Sequence, residues 1–217
     1  KDKKNMRDVA VLGVGMTPFG RHAGKSCVEL FAEAAMDAIV ESNITTQDVE
    51  ALILANCLGE FTGGQMVMAG MAAGELALRP STPAIRVENA CASGSTAIYT
   101  GYLMVASGMK DLVLVGGVER ALAMDTPMAT RTFAMGSDGR YEFYSGVTFP
   151  GVFAMLTRLY SQKYGIPLKK LKEQMAMVAV KNHKNAVPNE RAQFRKEITI
   201  DTVLKSFMVS DPLQLFD

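Results

Sequence analysis

Short apolar runs closed by glycine, proline or polar residues alternate with amphipathic stretches over the first half of the chain. The run from Val9 to Gly15 has the pattern of a buried strand entering a glycine turn, continued by Thr17-Pro18-Phe19-Gly20. Ser26 then caps a helix through about Ser42, whose Val28, Leu30, Ala34, Ala35, Ala38 and Ile39 make a broad apolar face. Thr45 to Asp48 opens a helical turn, and Ala51–Ala55 is a second strand. The Met- and Ala-rich segment Gln65–Leu76 predicts a helix, either core or a surface covered by a partner. Ala84–Glu88 is a third strand, Cys91 to about Gly108 a helix of small residues, and Asp111–Gly117 a fourth strand apolar enough to be covered on both faces. Strand and helix in alternation predict a layered α/β domain with a mixed, mainly parallel sheet over residues 1–120.

From 121 to 148 no periodicity is sustained, and a stretch that long inside a compact protein is usually functional. Helices are expected over about 150–164 and 168–183, divided by Tyr164-Gly165-Ile166-Pro167. A polar turn-rich stretch covers 182–189, Ile198–Val203 has the look of a short strand, and Leu213–Asp217 shows no capping structure. The organisation expected is therefore three parts: 1–120, a mostly helical excursion over 121–195, and a return segment over 196–217.

Composition narrows the function. With 23 Lys+Arg against 22 Asp+Glu, net charge +1, there is no bulk electrostatic case for a nucleic-acid partner. No apolar stretch approaches the roughly 18 residues of a spanning helix, and the charged start Lys1-Asp2-Lys3-Lys4 leads into no signal-peptide core, so neither membrane insertion nor export is expected. The 3 cysteines (Cys27, Cys57, Cys91) and 2 histidines fit no disulfide framework or structural metal site, and a reducing, cytoplasmic setting suits them.

The chemically informative segment is Val87–Ser95. A strand stops there and a helix starts with Cys91 at or beside its first turn, where unpaired N–H groups and the helix dipole favour a thiolate. Ala92, Ser93, Gly94 and Ser95 are small enough for a bulky ligand to reach the sulfur and the backbone donors. Local physics leaves two readings open, a nucleophile and a small buried cysteine of a packed helix. Ser93 lacks the flanking glycines of the G-x-S-x-G elbow, while Cys27 and Cys57 suit structural positions.

Val87-Glu-Asn-Ala-Cys-Ala-Ser-Gly-Ser95 resembles the nucleophile segment of thiolases, which make or cleave 3-ketoacyl-CoA. Further blocks follow in family order: Val115–Glu119, Tyr141-Glu142, Gly146–Gly151, Tyr164-Gly165, Lys181–Asn189 and Ala192–Phe194. The later blocks are most similar to the sterol-carrier-protein-type and archaeal acetyl-CoA acetyltransferase branch. The resemblance covers the amino-terminal half of a thiolase and implies that fold, with Cys91 as the acylated nucleophile and Phe149, Pro150 and Gly151 lining the acyl/pantetheine pocket. It implies coenzyme A thioesters as substrates and no permanently bound cofactor or metal. It also implies a homodimer or higher oligomer, with a zinc-ribbon/OB-fold protein as a further partner.

In the family, the histidine that activates the cysteine, a second acid/base cysteine and the oxyanion site come from the other half. Neither His22 nor His183 matches the family's catalytic histidine, so these 217 residues are expected to be modifiable at Cys91 with little turnover. Arg131 and Arg140 fit solvated surface positions better than phosphate ligands. Two other readings keep the same residues: a hydroxymethylglutaryl-CoA-synthase or ketoacyl-synthase-like enzyme, and a non-catalytic subunit of a split thiolase.

Overall fold

The computed structural model describes residues 6–217, so the charged Lys1–Lys4 start lies outside the described residues. It resolves into two compact units, one of Arg21–Met124 with the segment ending at Thr17, the other of Asp125–Asp217 with Pro18–Gly20.

In the first unit, α1 (Cys27–Glu41) begins with a capping box: Ser26 Oγ accepts the Glu29 N–H at 3.2 Å and Glu29 Oε2 accepts the Ser26 N–H at 2.7 Å. The sheet has the order β2 (Ala84–Val87), β1 (Ala51–Ala55), β3 (Val113–Gly117), all parallel, with Ala55 opposite both Val87 and Gly117. Every β1 residue is buried, because the central strand is covered on both faces and bonded at both edges. The period-2 alternation sends Leu52 and Leu54 toward Phe31 and Ile39 of α1 and toward Met68 and Ala72 of α3 (Met68–Glu75). Ile53 and Ala55 face Ala97 of α4 (Ser93–Ala106). A short α2 (Gly59–Gly63) connects β1 to α3.

Two expectations for this unit are corrected. Val9–Gly15 forms no strand: its backbone lies against α1, where a Cβ on Gly13 or Gly15 would come within 2.6 Å of Ala38 O or 1.9 Å of Ala34 O. Glycine permits that approach, the Val14 N–H goes to the Glu41 carboxylate, and Val11 is left 83% exposed. The Arg7 guanidinium fastens the segment to Val105 O, Lys110 O and Asp111 instead of a sheet neighbour. Second, the strand fully covered on both faces is β1; β3 stays half-buried because it is an edge of the three-stranded sheet.

The second unit is mostly helical. The 121–148 stretch, expected to be irregular, contains α5 (Thr126–Ala134), started by Asp125 accepting the Met128 N–H at 2.9 Å and by a proline in its first turn. A π-type turn at Gly139–Phe143 follows. Thr148 caps α6 (Phe149–Tyr164), which ends at Gly165 with φ 62°, and α7 runs over Leu168–Ala186, through part of the expected turn region. Ile198–Val203 is not a strand: Thr199 accepts the Thr202 N–H at 3.1 Å and starts α8 (Ile200–Leu204), which packs on α7 with Val203 fully buried. The chain ends in a hairpin of β4 (Met208–Ser210) with β5 (Leu213–Gln214) rather than without capping structure. Among the described residues no helix is long and apolar enough to cross a membrane.

Candidate active site

Three parallel strands deliver three loops to one edge of the sheet: Asn56-Cys57-Leu58 after β1, Glu88–Cys91 after β2 and Val118-Glu119 after β3. The crevice outside the carboxyl ends of parallel strands is where open α/β sheets bind ligands. Asn56, buried, ties the loops together. Its N–H donates to Val87 O at 3.2 Å and its Nδ2 to Val118 O at 2.7 Å, while its Oδ1 accepts the Gly59 N–H at 2.9 Å. The Glu119 carboxylate accepts the backbone N–H groups of Cys57 and Leu58. Part of the Glu119 side chain stays in solvent, yet lost hydration pushes its carboxyl upward against the downward pull of those donors and of Arg86. Arg86 bridges to Asn56 O at 3.2 Å and makes a two-pronged ion pair with Glu60.

Cys91 is exposed and sits in the 3₁₀ turn Ala90–Ala92 that leads directly into α4. The turn is clamped on both sides of Ala90. Glu88 Oε1 accepts the Ala90 N–H, while Ser93 Oγ accepts from Asn89 N at 2.8 Å and donates to Ala90 O at 2.7 Å. Ala90 has φ 45°, a left-handed conformation that alanine adopts only under constraint. Ser93 is buried and consumed by these bonds, so it is no rival for an incoming ligand. No side chain caps α4, whose first N–H, that of Ser93, donates to Ala90 O, and a Cβ at Gly94 would meet nothing within 4 Å.

Cys57, half-buried, has its thiol pushed up to about 11, by burial first and then by the carboxylates of Glu88 and Glu119. Cys27 is buried in the α1 layer and raised for the same leading reason. The convergence of Asn56, Cys57 and Glu119 on the Cys91 turn was not anticipated. Its trace in the sequence is a polar residue within two positions of each strand end: Asn56, Glu88 and Glu119.

The remaining predicted residues lie in the second unit. Phe149, Pro150 and Gly151 form the first turn of α6; the Gly151 N–H is capped by Thr148 at 3.2 Å, and the Phe149 ring packs on Phe153 at 5.0 Å and Phe133 at 6.1 Å. A cavity of about 300 Å³ lies further along α6, lined by Phe153, Leu156, Thr157, Tyr160, Leu171 and Met175. Arg131 and Arg140 are exposed, the latter over the Tyr141 ring. His183 Nδ1 lies 3.0 Å from Lys196 O with its ring edge-on to Phe216. Among the described residues no group of three His, Cys, Asp or Glu side chains is arranged to hold a metal ion.

The chain is 40% identical to an acetyl-CoA acetyltransferase of Methanothermobacter thermautotrophicus over 98% of its own length and 54% of that protein's. It is 39% identical to an acetyl-CoA acetyltransferase of Methanocaldococcus jannaschii over 97% of its length and 52% of the relative's. The chain thus spans about half the length of these curated relatives. Its fold matches an Ltp2-ChsH2(DUF35) aldolase with a TM-score of 0.70 at 23% identity, over 96% of this chain and 51% of that one. A family model described as thiolase, N-terminal domain, matches residues 9–211, so the chain belongs to the thiolase family as that domain.

Proposed function

We propose that this chain carries the nucleophile of a thiolase-type acyltransferase that forms or cleaves 3-ketoacyl-CoA such as acetoacetyl-CoA. The Cys91 sulfur attacks the thioester carbonyl of an acyl-CoA, the C–S bond to coenzyme A breaks, and the Cys91 proton ends on the released CoA thiol. The uncapped N–H groups at the start of α4 are the donors suited to the tetrahedral oxyanion. The observation that carries the reading is an exposed cysteine at the β2–α4 junction, at the carboxyl ends of the parallel strands, in a chain 40% identical to an acetyl-CoA acetyltransferase. Phe149, Pro150 and Gly151 contribute to the acyl/pantetheine pocket in this reading, with the Phe149 ring braced by Phe133 and Phe153.

The general base and second acid/base group that complete turnover are not assigned to His22 or His183; the His183 ring is engaged with Lys196 and Phe216. The working enzyme is a cytoplasmic homodimer or higher oligomer and takes a zinc-ribbon/OB-fold partner, in line with a fold neighbour that is an Ltp2-ChsH2(DUF35) aldolase.

Incubation with acetyl-CoA followed by intact-mass spectrometry tests the reading. A single acetyl adduct is expected on these 217 residues and none on Cys91→Ala, with CoA release stopping near one equivalent. An adduct that survives Cys91→Ala moves the nucleophile elsewhere, and sustained CoA release by these residues alone overturns the assignment of a half-site.

A further inference from the structure

We propose that Glu88 is a positioning residue that makes Cys91, and not the neighbouring Cys57, the reacting thiol; the inference rests on the acyl-transfer reading above. The register pairs Ala55 with Val87, so the residues that follow on β1 and β2 leave the sheet side by side and bring two thiols to the same edge. The Glu88 carboxylate stands between two tasks there. It accepts the Ala90 N–H and so helps hold Ala90 at φ 45°, the turn that turns Cys91 outward. It also acts electrostatically on the Cys57 thiol, as does Glu119, whose carboxylate accepts the Cys57 N–H from the end of β3.

The charges around Cys57 are one-sided. Glu88 and Glu119 act on it, Cys91 adds a third ionisable group, and Arg86, a cation within electrostatic reach, is committed to Glu60 of α2. Negative charge on Cys57 is thus opposed by partial burial first and then by the carboxylates at two strand ends. A thiolate at Cys57 would accept the acyl group from S-acyl-Cys91 by thioester exchange, the C–S bond to Cys91 breaking as that to Cys57 forms. Glu88 adds to burial in holding Cys57 protonated and so works against that side reaction.

The test is iodoacetamide labelling of the whole chain without any acyl-CoA, resolved by peptide mass spectrometry for Cys27, Cys57 and Cys91, in wild type, Glu88→Gln and Glu88→Ala. Wild type is expected to label at Cys91 well ahead of Cys57, with the Cys57 pH profile centred near 11. Glu88→Gln keeps an oxygen for the Ala90 N–H and removes the charge. The Cys57 profile moves down, and its labelling at pH 8 rises roughly threefold per pKa unit, thiolate fraction outweighing reduced nucleophilicity. Cys91 labelling changes little in Glu88→Gln and falls in Glu88→Ala.

A Cys57 profile that stays in place in Glu88→Gln overturns the proposal, as does undiminished Cys91 labelling in Glu88→Ala. The buried Cys27 reports on folding, and if it labels in Glu88→Ala the decision rests on Glu88→Gln. Because labelling needs no acyl-CoA, a preserved difference between the two thiols together with no acetyl transfer would sink the activity reading and leave this one standing.

Discussion

Arg86 on β2 reaches over the end of β1 to bond Asn56 O and then both oxygens of Glu60. That guanidinium holds the Glu60 carboxyl below its ordinary 4.5. A depressed carboxyl contributes stability that is present above the ordinary value and lost as pH falls through the folded one, because the unfolded chain then binds the proton more readily. Glu119 works in the opposite sense: its raised carboxyl contributes below 4.5 and loses that contribution as pH rises through its folded value. Urea unfolding of Glu60→Gln is therefore expected to show a shallower decline in midpoint below pH 4.5 than wild type. An identical acid limb would show that the Arg86 pair contributes nothing to folding. The placement of Cys91 between β2 and α4 was readable because it is written in adjacent residues, a strand end followed by small ones. The partnership of Cys57, Glu88 and Glu119 was not, because only the pairing of β1 with β2 and β3 brings residues 57, 88 and 119 to one place.

The helices and strands that were legible announce themselves by local signals. α1 has Ser26 and Glu29 at capping-box spacing, and β1 is an unbroken apolar run bounded by polar residues. Val9–Gly15 misleads for a physical reason: hydrophobicity argues for burial, whereas its glycines allow the backbone to lie on α1 and leave the valines outside. In Ile198–Val203, β-branched residues argue for a strand, and a single Thr199 cap with Val203 buried against the helix layer outweighs them. The placement of α4 matters most for the site, and Gly101 sets it: a Cβ there would stand 2.5 Å from Val115 Cγ2 on β3. Gly101→Ala must lift α4 from the sheet or displace Val115, at a cost of roughly 1–3 kcal/mol that offsets alanine's better helix propensity. Urea denaturation is expected to show that net loss, together with slower alkylation of Cys91 as the amino end of α4 moves. A stabilised variant with unchanged alkylation would mean that the helix–sheet spacing is not set at Gly101.

Burial is distributed unevenly between the two units. The first collects the large buried side chains Phe31, Leu52, Ile53, Leu54 and Met68 around one strand, while the second buries mainly small residues, Ala134, Ala154 and Ala176, beside Leu171 and Val203. Along α6, Leu156 and Leu159 are each more than half exposed. Opening free energy follows buried apolar contact, so amide exchange should grade across the molecule. β1 amides, bonded on both edges beneath two helix layers, are expected to exchange last, and those of α6 and the β4–β5 hairpin markedly earlier. Removing a core side chain should lower the slow end selectively. Leu52→Ala empties part of the layer between β1 and α1, costs roughly 2–5 kcal/mol, and speeds exchange throughout β1–β3. Leu159→Ala, cut from an exposed position, should leave that sheet's rates within experimental scatter. Equal protection of α6 and β1 in wild type would mean that stability does not follow the burial pattern. The parallel sheet would then lose its standing as the rigid platform that fixes the Cys91 turn.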